Sequence, residues 1–331
     1  MNKFYDKVKI TLSLQSVDGK PIPLLISKGV EPGENIREPI ELTIVDNGRT
    51  RSILVIPSTS IKGVLRTIAY SLLKHLAKSN KLSGLARYSA ILHEERIGES
   101  YWHIQGLCGE SKKLESEEVK ELSLMISESL RREDVLKVAN SSLGRNIVNI
   151  KRLSEGQVKL EVESHIVESI EENLCTCLEN DNCRKLVELV LSYHCPLDRL
   201  FGSQYFKGKI SIKSILVDQE HYHGMPRPHV AIDRAKQIKV EQALFVDYVV
   251  YVDKLNIEII VYDVEQGGPE ELLLNSLLDY MEKIGIHIGA SKSTGYGHLM
   301  LVEKRIDKIS YKELHQQLIQ GNIDKVIEKF L

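Results

Sequence analysis

The sequence predicts an α+β fold whose elements follow the order of a modified ferredoxin-like core. A strand pattern over residues 8–14 precedes a long helical pattern over residues 60–78. A second helical pattern, over residues 270–284, precedes a last strand over residues 298–302. Further strand patterns lie between the two helices. Together these patterns give the order β-α-β-β-α-β.

The bulk composition is that of a globular protein without a membrane anchor. Of the 331 residues, 42% are hydrophobic and 27% are charged, and the formal net charge is −2. No overall basic field therefore indicates nucleic-acid binding, although a groove that holds one strand needs only local cations. The chain lacks an apolar run of transmembrane length, and its first residues do not form a signal peptide. We expect a cytoplasmic protein without a membrane partner.

The first strand alternates apolar and polar residues over Val8–Leu14, as a half-buried strand does. Residues 15–51 are rich in glycine and proline and predict a long loop, with one short strand at residues 40–45. Loops of this length are usually functional or disordered.

The start of the first helix is the first candidate site. An apolar strand at residues 52–56 runs through a turn into the helix, with Ser58, Thr59 or Ser60 as the predicted N-cap. Helix starts present unpaired N–H groups and attract anions, and Lys62 and Arg66 follow closely. The stretch therefore predicts a phosphate grip, or else an ordinary capped helix with surface cations.

A glycine-rich loop before the last strand is the second candidate site. It spans residues 285–297, and its glycines allow the backbone to approach a ligand closely. The Walker spacing of nucleotide-binding loops is absent, and the loop precedes a strand rather than a helix. The loop therefore indicates a nucleic-acid cradle, in which the Tyr296 ring offers a stacking face.

Between them, residues 209–217, 244–252 and 257–262 have strand patterns. The stretch His221–His229 combines histidines with Gly224 and two prolines, which predicts a loop. Its histidines fit polar contacts, a metal site or an acid–base site for RNA cleavage.

Four motifs in order resemble the RAMP superfamily of CRISPR-associated proteins, and within it the backbone subunits of type III (Csm/Cmr) effector complexes. Residues 56–66 are similar to the family's I-P-G-S-S-L-K-G-x-L-R, with Ser58 in place of the glycine. Residues 194–202 are similar to C-P-x-C-R-L-F-G, and residues 229–234 contain the I-D-R element. Residues 289–297 match the S-x-G-x-G loop.

The resemblance implies a single RAMP domain over residues 1–331 with an RRM-like core. It adds a helical insertion at about residues 97–200 and a thumb-like hairpin after residue 232, and residues from about 306 to 331 are predicted as a helical tail. The residues that it implies in RNA binding are Ser58, Ser60, Lys62, Arg66, Arg199, Arg234, Lys236, Gly289, Ser291, Lys292, Ser293, Gly295, Tyr296 and Gly297.

The function that the resemblance implies is binding of the guide RNA (crRNA) backbone within an interference complex in antiviral defence. The expected partners are crRNA, target RNA and other CRISPR effector subunits. One alternative is an endoribonuclease, in which Glu38 or Asp46 holds a divalent metal near the scissile phosphate. Another is a structural capping subunit with little RNA contact.

Five cysteines in a cytoplasmic protein suggest metal binding or free thiols rather than disulfides. Cys177, Cys183, His194 and Cys195 are four soft ligands for a structural zinc, with Cys175 as a substitute, or else they are ordinary thiols. Some members of the resembled family carry zinc here, although Asp198 stands where they have their second cysteine.

Overall fold

A computed structural model describes most of the chain. The described residues are 4–16, 18–27, 36–46, 49–94, 101–108, 112–143, 147–152, 158–233, 238–310 and 319.

The strands within these ranges form four sheets. In chain order they are β1 (Phe4–Gln15), β2 (Ile22–Leu24), β3 (Ile36–Arg37), β4 (Glu41–Asp46), β5 (Arg49–Ile56), β6 (Val148–Arg152), β7 (Val158–Val162), β8 (Ile210–Ile212), β9 (Ile215–Asp218), β10 (Tyr222–Asp233), β11 (Ile238–Val252), β12 (Leu255–Glu265), β13 (Ile286–His287) and β14 (His298–Ile309).

The α-helices of the described residues vary from one turn to six. They are α1 (Ser58–Lys78), α2 (Gly84–Leu92), α3 (Ser116–Ser129), α4 (Glu133–Leu143), α5 (Ser164–Glu172), α6 (Leu174–Cys177), α7 (Asp181–His194), α8 (Pro196–Phe201) and α9 (Pro269–Lys283). No described helix combines the length and hydropathy that a bilayer crossing requires.

The largest sheet has the strand order β13-β14-β1-β12-β8, and its pairs are antiparallel. Alternate residues of β1, from Val8 to Leu14, are buried because strand side chains alternate between the two faces. Helices α1 and α9 contribute to the same apolar core, for example through Leu65 and Leu277. The spacing of α1's buried residues, Ile61, Leu65, Ala69 and Leu73, is helical.

The elements β1, α1, β8, β12, α9 and β14 follow one another as strand, helix, strand, strand, helix, strand. The predicted α+β class is confirmed. The ferredoxin-like, RRM-like assignment of this core stays a prediction, as does the single-domain organisation. Residues 97–200 contain α3–α7 and the hairpin β6–β7 around a second apolar core that includes Leu122, Ile126 and Leu186.

A long hairpin of β10 and β11 corrects one prediction. The stretch His221–His229 is not a loop, because β10 runs through it and pairs antiparallel with β11. Strand β10 stands at the edge of its sheet, so Pro226 and Pro228 can lie in it without breaking a ladder on a second side. Gly224 fits because the Tyr248 ring lies where a side chain would project.

The last strand is longer than predicted. Strand β14 continues to Ile309, so the predicted helical tail does not begin at residue 306. Apart from residue 319, which is helical, the chain beyond residue 310 lies outside the described residues.

Candidate nucleic-acid interface and metal centre

Helix α1 begins where the sequence predicts, but without a side-chain cap. Its N-cap residue is Pro57, so the prediction of Ser58, Thr59 or Ser60 as the cap is wrong. The Ser58 amide donates to Ser214 Oγ (3.1 Å), and the Ser60 amide donates to the Pro57 carbonyl oxygen (3.0 Å). Neighbouring protein groups therefore satisfy part of this helix start, while the Ser60 side chain remains exposed.

A cluster of cations lies on the first turns of α1. Burial and the positive charges of Arg66 and Lys207 lower the pKa of Lys62. Lys207 belongs to the exposed part of the loop between α8 and β8. Like charges held this close repel one another, and a bound phosphate would relieve that repulsion.

Arg66, predicted as a phosphate ligand, is engaged inside the protein. Its guanidinium donates to Asp198 Oδ1 (3.1 Å) and to the Gly202 carbonyl oxygen (2.8 Å), and it stacks 5.2 Å from the Trp102 ring centre. The Arg66 side chain is 18% exposed and Asp198 is fully buried. These contacts neutralise a buried carboxylate, and the role of Arg66 in RNA binding stays a prediction.

Arg199 is also held by the protein. It pairs with the buried carboxylate of Glu270 and lies 4.9 Å from the Tyr193 ring centre. Burial would raise the pKa of Glu270, but Arg199 and Lys209 lower it below its usual value. Arg199 thus links α8 to α9, and its predicted place in the RNA path stays a prediction.

The glycine loop is anchored to β2 through its backbone. The amide of Ala290 donates to the Leu25 carbonyl oxygen (2.9 Å), and the amide of Gly297 donates to the Pro23 carbonyl oxygen (2.8 Å). Gly289 and Gly297 have φ of 89° and 70°, and a Cβ on either would press on neighbouring backbone. Between these anchors, the segment from Lys292 to Gly295, including Ser293, is exposed, and Ser291 is half-buried with φ of 58°.

Tyr296 points inward from this loop. Its ring is 7% exposed and packs with Leu25 and Val249, and Arg227 contacts its hydroxyl. The prediction of an exposed stacking face is therefore corrected, because protein covers the ring. Tyr296 anchors the loop against the hairpin instead.

The two candidate stretches share one end of the large sheet. Ser214, which contacts the start of α1, follows the end of β8, and the glycine loop precedes the start of β14. Antiparallel pairing places both of these at the end where β1 stops. Three strand spacings, roughly 14 Å, separate β14 from β8.

Some predicted residues lie outside this geometry. Arg234 and Lys236 are not among the described residues, and the side chain of Asp46 is not described either. Glu38 is exposed and lies next to the bridge between Ser27 and Pro39.

The cysteines correct a further prediction. Cys108 is disulfide-bonded to Cys175, and Cys177 to Cys183, so four of the five cysteines are neither free nor open to a metal. Of the four predicted zinc ligands, only Cys195 lies in a metal-compatible group of the described residues.

His194 lies elsewhere. It is hydrogen-bonded to Ser129 Oγ (2.8 Å), and burial with nearby arginines lowers its pKa to about 4. The structure therefore does not assemble the predicted quartet.

A different set of four side chains does meet in the interior. His93 follows α2, His103 precedes a short turn, and Cys195 and Asp198 lie at the junction of α7 and α8. All four are fully buried, and one ligand atom from each lies within 4.8 Å of the others.

Three of the four distances are close to those around a small tetrahedral cation. His93 Nδ1 lies 3.7 Å from Cys195 Sγ and 3.9 Å from Asp198 Oδ2, and His103 Nε2 lies 3.7 Å from Asp198 Oδ2. Tetrahedral zinc places neighbouring ligand atoms about 3.3–3.8 Å apart. The two ring nitrogens are closer, at 2.9 Å, which is a hydrogen-bonding distance. A thiolate and a carboxylate would balance the charge of a divalent ion.

Protonation at this cluster is shifted. Burial would raise the pKa of the Cys195 thiol, but His93 and a hydrogen bond from His103 lower it to about 7. Burial opposes protonation of His103, whereas Glu188 holds the pKa of His103 well above its usual range. Without a metal, His103 is therefore held as an imidazolium, and a bound ion would displace its Nε2 proton. By residue type, a thiol, a carboxylate and two inward-facing imidazoles are then a suitable metal donor set.

The sequence analysis missed His93 and His103. Ten positions separate them, and Cys195 lies 102 positions after His93 and 92 after His103, so no compact motif spans the set. The sequence did contain Cys195-x-x-Asp198, which has the spacing of a C-x-x-C metal motif with a carboxylate in place of the second cysteine.

A histidine–carboxylate pair lies on the hairpin. His229 Nε2 is 3.2 Å from Asp247 Oδ2, and Asp247 is buried. Arg227 stands opposite Asp247 in the pairing of β10 with β11. The pair supplies the carboxylate partner that the histidines of residues 221–229 lack in the sequence pattern.

Comparisons with known proteins match most of the chain to a family. The RAMP superfamily matches residues 23–299, which is more than half of the chain. One similar solved structure is a "Type IV-B CRISPR Complex"; the matched chain is 11% identical, with a TM-score of 0.38 over 91% of this chain and 90% of that chain. No curated protein matches the chain.

Proposed function

Because the chain belongs to the RAMP superfamily, we propose that it is a CRISPR-associated subunit that binds the backbone of a guide RNA. The four motifs favour the type III backbone group. Cations at the start of α1, next to β8, and the exposed glycine loop, next to β14, hold phosphates at the same end of the large sheet. Such contacts tolerate any sequence and weaken with salt.

The observation that carries this proposal is the positive cluster around Lys62. Lys62 has two cationic neighbours, of which Arg66 is already paired with Asp198. Lys62 and Lys207 are thus the cations offered to a ligand at this edge, and Lys292 is the exposed cation of the glycine loop. Gly289, Ser291, Ser293 and Gly295 contribute backbone and hydroxyl donors. The first turn of α1 contributes the hydroxyls of Ser58 and Ser60, because their amides already donate within the protein.

The test is the RNA affinity of Lys62→Ala combined with Lys292→Ala. Each lost phosphate contact should lower the slope of log affinity against log salt by about 0.7 for single-stranded RNA. Lys120→Ala is a matched control, because Lys120 is exposed and pairs with Glu117 on α3. An unchanged affinity and slope in the double variant would reject both grips, and would favour the structural capping alternative.

We also propose that His93, His103, Cys195 and Asp198 hold a structural zinc. The ion would join the end of α2 to the junction of α7 and α8, and it would supply no activated water because its four ligands are protein groups. Metal analysis distinguishes this set from the sequence-predicted one. His93→Ala should lose zinc, whereas Cys183→Ser should retain it. The opposite result would restore the sequence-predicted ligands.

A second candidate function is RNA cleavage, which the His229–Asp247 pair favours. His229 would act as a general base on a ribose 2′-hydroxyl, with Asp247 orienting its ring and Arg227 near the phosphate. Such cleavage survives chelator, whereas a cut that depends on Glu38 or Asp46 and a divalent metal does not. Intact RNA after incubation with the wild-type protein, with or without Mg²⁺, would reject both routes.

A further inference from the structure

Glu188 is a buried carboxylate in the apolar core of α7. It is 2% exposed, and its neighbours Val187 and Leu189 are fully buried. An unpaired carboxylate in such a place is strongly destabilising, so its partners must compensate for the lost hydration.

Those partners belong to one short segment that leads into the metal-compatible cluster. The amides of Trp102 (2.9 Å), His103 (3.0 Å) and Ile104 (3.2 Å) donate to the carboxylate oxygens. His103 Nδ1 lies 2.8 Å from Glu188 Oε1. Three backbone amides thus converge on its two oxygens, an arrangement that stabilises the ionised, acceptor-only form of the carboxylate.

This contact decides which His103 nitrogen carries the proton. An ionised carboxylate requires a donor, so Nδ1 bears the hydrogen. The lone pair of a neutral His103 then lies on Nε2, which faces His93 Nδ1 (2.9 Å) and Asp198 Oδ2 (3.7 Å). The other tautomer would point an N–H at the ligand atoms and exclude a cation.

We infer that Glu188 is the positioning residue that presents His103 Nε2 to the metal, by fixing both the tautomer and the backbone of residues 102–104. The inference rests on the proposed zinc centre. A carboxylate behind a ligating imidazole fixes its orientation and strengthens it as a donor.

The test compares zinc affinity, by chelator competition, in the wild type, Glu188→Gln and Glu188→Asp. We expect Glu188→Gln to bind zinc 10–100-fold more weakly, because the amide gives up the charge that orders four donors. Glu188→Asp, which keeps the charge on a shorter chain, should fall between them. Glu117→Gln is the control, since Glu117 is 91% exposed on α3.

A second measurement needs no variant. Imidazole ¹⁵N NMR of the zinc-loaded wild type should show His103 protonated at Nδ1 and metal-bound at Nε2. This readout keeps the inference testable even where Glu188→Gln fails to fold.

The outcomes separate the two claims. A wild-type chain that takes up no zinc overturns the metal centre, and this inference with it. A wild type that binds zinc through a His103 protonated at Nε2, or a folded Glu188→Gln of unchanged affinity, overturns the role of Glu188 alone.

Discussion

Replacing Arg66 by alanine separates its structural role from RNA binding. Arg66 compensates the charge of Asp198, which is fully buried, and it also donates to the Gly202 carbonyl oxygen. Removing one partner of a buried ion pair costs about 3–5 kcal/mol, because it leaves the other charge unpaired. Asp198 keeps its hydrogen bond from Ser192 Oγ (2.8 Å), so we expect a loss near 3 kcal/mol.

The assay is urea unfolding followed by circular dichroism, on chelator-treated protein so that no metal compensates Asp198. Lys62→Ala, one helical turn away, is the matched control and should change the free energy of unfolding by less than ~0.5 kcal/mol. In an Asp198→Asn background, Arg66→Ala should cost only ~1 kcal/mol, because the charge to be compensated is gone.

RNA binding gives the opposite ranking. Lys62→Ala should weaken binding and reduce its salt dependence, whereas Arg66→Ala should act mainly through stability. A folded Arg66→Ala variant that loses less than ~1 kcal/mol but binds RNA tenfold more weakly would refute the structural assignment and restore Arg66 as a phosphate ligand.

Three further outcomes follow from the described contacts. Gly297→Ala should destabilise the protein by ~1–3 kcal/mol, and by more than Gly295→Ala. Both glycines have positive φ, but only at Gly297 would the added Cβ collide with neighbouring backbone. Equal shifts of the melting temperature in the two variants would contradict this. The pKa of Glu270 is lowered by its paired cations, so the ionised group contributes fully to the free energy of unfolding above about pH 4.3 and loses that contribution as pH falls through its pKa in the folded protein. The difference in stability between wild type and Glu270→Gln should therefore close in acid. A difference that stays constant from pH 7 to pH 3 would contradict this. Reducing the Cys108–Cys175 disulfide, which spans 67 positions, should lower the free energy of unfolding by ~4 kcal/mol. Cys108→Ser should lose the same stability and should not respond to reductant. An unchanged unfolding midpoint in this variant would exclude a contribution from the disulfide.

The periodicity of apolar residues predicted the fold class, because it depends only on residues that are close together in the sequence. The alternation from Val8 to Leu14 and the spacing of Ile61 and Leu65 depend on burial along one element. The strand through Pro226 escaped prediction because an edge position, which tolerates proline, is a property of the whole sheet.

The candidate site was predicted less completely, because its contacts join distant parts of the chain. Arg66 meets Asp198 across 132 positions, and the sequence cannot show that this cation already has a buried partner. The His93–His103–Cys195–Asp198 set has the same character. By contrast, Gly289 and Gly297 were recognisable, because a cluster of glycines marks close backbone approach within one loop.

Asp198 connects the two proposed sites, since one of its oxygens faces the histidines and the other faces Arg66, one turn along the helix from Lys62. If both proposals hold, loss of the ion weakens the Arg66–Asp198 contact, which holds α1, and α1 carries the RNA-binding cations. The fraction of protein molecules that retain guide RNA would then depend on the zinc available when the protein folds, and Asp198 would be the residue through which it does.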